Sequence, residues 1–104
     1  INLAQSIDNL IETEQFMRLE ILRAKSAYKF AIEKYKNNQK NLRLAERIEK
    51  KNQIKFFEGI NSSFDLRQAQ TQLYKSQQEL LQSMLDVINK KAELETALNQ
   101  VPKN

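Results

Sequence analysis

A single glycine, Gly59, separates two long stretches in which an apolar residue returns every third or fourth position. Starting at Leu3 and stepping alternately by four and three, the chain reads Leu3, Ile7, Leu10, Glu14, Met17, Ile21, Ala24, Tyr28, Ala31, Tyr35, Asn38, Leu42, Ala45, Glu49, Asn52 and Phe56. After the glycine the same rhythm resumes through Leu66, Ala69, Leu73, Ser76, Leu80, Ser83, Val87, Lys90, Leu94, Ala97 and Val101. An average step of 3.5 keeps one stripe on one side of a helix, the pattern that coiled coils bury. Sheet folds need turn residues at short intervals, and with one Gly and one Pro in 104 residues the chain does not supply them. The spacing therefore predicts an all-α chain: a long helix over about 2–58, a turn over about 59–62 and a second helix over about 63–100, folded as an antiparallel coiled-coil hairpin. The first helix would extend about 85 Å at 1.5 Å per residue.

The turn is specified residue by residue. Gly59 follows the last helical positions, where a left-handed backbone closes a helix and a Cβ is a penalty. Ser62, or alternatively Ser63, then caps the second helix, with Asp65 reaching back in a capping box. Phe57, Ile60 and Phe64 are expected to clamp the turn from within. Folded back from there, the second helix would match the first only to about Ala24, leaving the stripe before it without a partner in this chain. Ala and Ser on the seams favour close approach of the helices, whereas Ile11, Leu22, Ile32, Ile48, Leu81, Met84, Leu85, Ile88 and Leu98 widen the stripes towards further neighbours. Asn38, Glu49 and Asn52 interrupt the first seam, as register-setting residues, as residues facing a wet lumen, or as local mismatches.

Catalysis has nothing to rest on: histidine and cysteine are absent, and the pairs Glu12–Glu14 and Glu93–Glu95 point to different sides of a helix. No catalytic residue, metal site or cofactor is expected. No run approaches the roughly 18 apolar residues of a membrane-spanning helix. The net charge of +4 is concentrated between Arg18 and Lys55. Basic residues far outnumber acidic ones there, but glutamates are interspersed among them as on a solvated coiled-coil side, with no aromatic platform, so nucleic acid is not the expected partner. Tyr28 and Tyr35 fall on the seam, and Tyr74 is also read as an interface residue with its hydroxyl in water. A start at Ile1 rather than Met is expected of a segment cut from a longer protein.

The order Phe57, Gly59, Ser63, Asp65, Leu66, Ala69 and Leu73 resembles the periplasmic hairpin turns of TolC-like outer-membrane efflux proteins. The flanking "KYKNNQKNLRLAERIEKKNQIKFFEG" and "QLYKSQQELLQSMLDVINKKAELETALN" are similar to the helices on either side of that turn, so the likeness covers about residues 24–99. The resemblance implies a homotrimer whose subunits each contribute strands to an outer-membrane β-barrel and two helical hairpins to a periplasmic α-barrel. It also implies that the tip, here Gly59, Ile60, Asn61, Ser62, Ser63, Phe64 and Asp65, meets a periplasmic adaptor protein that links the duct to a pump. The expected location is thus the periplasmic portion of an outer-membrane protein in a Gram-negative envelope. This chain departs from the family in showing one hairpin and no barrel strands, so by itself it would not span the membrane. Three other readings of the same residues are a hairpin of the adaptor, a cytoplasmic coiled-coil scaffold and a basic nucleic-acid-binding module.

Overall fold

A computed structural model describes residues 2–100 of the chain. It contains two helices, α1 (Asn2–Phe57) and α2 (Ser63–Asn99), and no strand among the described residues. The chain reverses between them, and the two helices lie side by side in opposite directions along most of α2. The result is a rod of 85 × 21 × 13 Å with a radius of gyration of 23.8 Å, against about 13 Å for a compact chain of this length. One residue of the expected first helix, Glu58, belongs to the turn instead; Val101, expected on the second seam, lies outside the described residues.

Burial follows the seams. The most deeply shielded residues are Ala31, Asn38 and Ala45 on α1 and Ala69, Ser76 and Ser83 on α2, all of them positions of the 3.5 repeat. The larger seam residues, Tyr28, Tyr35, Leu42, Leu73, Leu80 and Val87 among them, are half-buried. Two helices alone cannot enclose a large side chain, because each seam residue has only one neighbouring helix to cover it.

The register is set by one polar contact across the seam. Asn38 Nδ2 donates to the backbone carbonyl of Glu79 at 3.1 Å. With Leu80, the seam residue next to Glu79, set opposite Asn38, counting outward places Ala31 against Val87, Tyr35 beside Ser83, Leu42 beside Ser76 and Ala45 against Leu73. Each layer therefore joins a small residue on one helix to a large one on the other, the alternation that lets facing side chains interdigitate. Asn38 is thus a register residue of the hairpin. Ser83, fully buried, satisfies its hydroxyl within its own helix by donating to the Leu80 carbonyl at 2.8 Å.

Pairing extends further than the expected limit near Ala24. Shielding continues through Ile21 to Met17, and residues 2–16 are exposed along their whole length. The reason lies in the turn, which folds back over the end of α1 and starts α2 beside Ile54. The same register then carries Asn99 to the level of Leu19. Leu3, Ile7, Leu10 and Ile11 remain exposed on the overhang.

Candidate functional site: the hairpin tip

Gly59 ends α1 with φ +77°, the one positive φ among the described residues. Around it the last carbonyls of α1 are satisfied in a Schellman arrangement: Gly59 N–H donates to Phe56 O at 3.0 Å and Ile60 N–H to Lys55 O at 2.8 Å. Asn61 N–H also reaches Lys55 O, at 3.3 Å. A Cβ added at Gly59 would meet nothing within 4 Å, so the demand at this position is conformational rather than spatial.

Ser62, not Ser63, caps α2. Its hydroxyl accepts from Asp65 N–H at 3.2 Å, and its own backbone N–H donates to Asp65 Oδ2 at 3.4 Å, which completes the capping box. The Ser62 hydroxyl proton is directed to the same carboxylate oxygen at 3.0 Å. Ser63 is the first residue inside the helix. The Asp65 carboxylate thereby sits at the positive end of the α2 dipole, where negative charge is favoured.

A second tie joins the turn to the body of α1. Asn61 Nδ2 donates to Asn52 Oδ1 at 2.8 Å, and Asn52 Nδ2 donates to the Ile48 carbonyl at 2.8 Å. Asn52, an interruption of the apolar seam, thus anchors the turn. The interruption is visible in the spacing, but its pairing with Asn61 is not, because the partner is set by how the turn closes.

The expected inward clamp does not form. Phe57, Ile60 and Phe64 are 78%, 67% and 70% exposed, and all three stand on the outside of the tip. Phe57 touches the ring of Phe56 edge to face, with centroids 5.9 Å apart. Hydrogen bonds close this turn without apolar help, and the seam ends before it, so no surface remains inside to receive three large side chains. Phe57 was not among the expected contact residues, although its place one step past the seam residue Phe56 already turns it outward.

Gly59 to Asp65 thus form one short end surface: a backbone held by caps at both helix ends, with Ile60 and Phe64 projecting, joined by Phe57. Glu58, Asp65 and Lys55 border it with charge. Among the described residues no group of acidic side chains stands close enough together to hold a metal ion, and no helix is long and apolar enough to cross a membrane. No family model matches the chain, and no curated protein or solved structure is significantly similar to it.

Proposed function

We propose that the chain is a periplasmic duct hairpin of a TolC-like outer-membrane efflux channel and that its tip docks a periplasmic adaptor protein. One observation carries this reading: Phe57, Ile60 and Phe64 stay exposed on a turn whose backbone is fastened by a Schellman closure, a capping box and the Asn61–Asn52 bridge. Apolar side chains held out on an ordered backbone lose little conformational freedom on binding, so most of their burial counts towards affinity. Fully covering one such side chain contributes about 1.5–3 kcal/mol. The order of residues around Gly59, which resembles the family's hairpin turns, supplies the identity of the partner class.

In this reading the rod is one stave of an α-barrel in a homotrimer, and its role in transport is passive. The adaptor grips the tip and opens the entrance, while a pump elsewhere supplies the energy. The test is Ile60→Asp. Ile60 has no covering neighbour to lose, so the melting curve of the variant should superimpose on that of the parent, while capture by the adaptor in a pull-down falls. Equal capture would remove the tip from the contact surface.

A further inference from the structure

Acids and bases are interspersed along the sequence between Lys25 and Lys50, but around the helix they are sorted. Lys36, Lys40, Arg43, Arg47 and Lys50 follow one another by four or three residues, and Lys25 and Lys29 continue the line upstream. At 3.6 residues per turn these cations fall within an arc of about 80°, on the side of α1 turned away from α2. All of them are exposed, and the one other residue of that arc between Lys25 and Lys50 is Ile32, half-buried at its edge. Glu33 and Glu46 stand to either side of the line, and Glu49 is turned towards the seam.

The line is straight. The 56 residues of α1 amount to about 84 Å at 1.5 Å per residue, and the whole rod is 85 Å long, so the helix scarcely bends. The cations therefore form a ridge about 38 Å long, with a charge about every 5 Å over its second half. None of them forms an ion pair among the described residues, and Glu46 shares a shallow notch with Arg43, Arg47 and Lys50 without pairing to any. Like charges one turn apart on a helix repel, so the row costs stability and contributes nothing to holding the hairpin.

We propose that this ridge binds a flexible linear polyanion, a chain of phosphate groups without bases, laid along α1 from Lys25 to Lys50. Single-file cations on a straight rod suit a partner whose own charges run in single file. A DNA duplex meets such a row only where each strand crosses it. A single nucleic-acid strand brings bases that need an aromatic face, but Tyr28 and Tyr35 are half-buried towards the seam. Phe30 stands about 100° round the helix from Lys29. An acidic helix or a bilayer would bury apolar side chains on contact, and between Leu22 and Ile54 the ridge offers only the edge of Ile32. Arg43 and Arg47 each present a fork that matches two phosphate oxygens, and the lysines add point charges. Tip and ridge are separate surfaces, so this binding stands or falls apart from adaptor docking.

The probe is end-labelled long-chain inorganic polyphosphate, followed by fluorescence anisotropy with the intact chain. With about five phosphates neutralised, raising salt from about 50 to about 200 mM should weaken binding on the order of a hundredfold. Lys36→Gln, Arg43→Gln and Arg47→Gln combined should weaken it at least about tenfold. That variant should melt no lower than the parent, because repulsion is relieved. Lys34→Gln, Lys75→Gln and Lys91→Gln combined remove the same net charge from exposed positions off the ridge and should weaken binding less than about threefold. Ile60→Asp should bind as the parent does. Equal losses in the two triple variants, no binding of polyphosphate at low salt, an oligothymidylate of equal length bound as tightly, or tighter capture by phosphatidylglycerol vesicles would each overturn the proposal.

Discussion

Gly59 separates two reasons for needing glycine that are often confounded. The space around its Cα is open, so volume is tolerated, and only the left-handed φ of +77° discriminates between side chains. Gly59→Val should therefore cost at least about 1–2 kcal/mol in urea melts, and Gly59→Asn clearly less, because asparagine visits that conformation more readily. In the proposed duct, Gly59→Val should also impair adaptor-dependent efflux. Equal melting of the parent and both variants would mean that the turn does not require the left-handed conformation. The capping serines divide in the same way: Ser62→Ala should lose about 1 kcal/mol with the two hydrogen bonds its hydroxyl makes to Asp65, and Ser63→Ala less than about 0.5 kcal/mol. A larger loss at Ser63 would reassign the cap.

Along the helices, stability and specificity are carried by different residues. The alternation of Ala and Ser with Leu, Tyr and Val lets the backbones approach, but it repeats along the seam and would tolerate a slip of one heptad. Asn38 breaks the repetition by demanding the Glu79 carbonyl at one place. A buried polar seam residue of this kind fixes register at some cost in stability. Asn38→Leu should accordingly melt no lower than the parent while broadening the distances between spin labels at positions 40 and 77. A distribution as narrow as the parent's would show that the apolar layers set the register alone. These seams were legible to the residue from spacing, because a two-helix contact depends on little beyond the 3.5 period. The bonds of Asn38 and Asn52 were not, since an interruption in a pattern does not name its partner.

At the scale of the molecule, the hairpin is a partly covered object. Residues 2–16 form about four turns of helix beyond the last contact with α2, and no other described residue shields their apolar stripe. A helix without tertiary contacts is marginal in water. Deleting these residues should change the unfolding free energy of the isolated chain by less than about 0.5 kcal/mol, and their amides should be the first of α1 to exchange. A markedly larger loss would mean that the overhang packs on another copy even in the isolated protein.

Helix, break and facing stripe were determined by the amino-acid order alone, because period, glycine and caps act within a few neighbouring residues. Only the folded hairpin decided how far α2 reaches, since that depends on the turn doubling back over Lys55 before α2 begins. It also decided that Phe57, Ile60 and Phe64 point outward. Their apolar character was equally compatible with a buried clamp, and the choice fell to backbone hydrogen bonds that closed the turn and left no interior for them to fill.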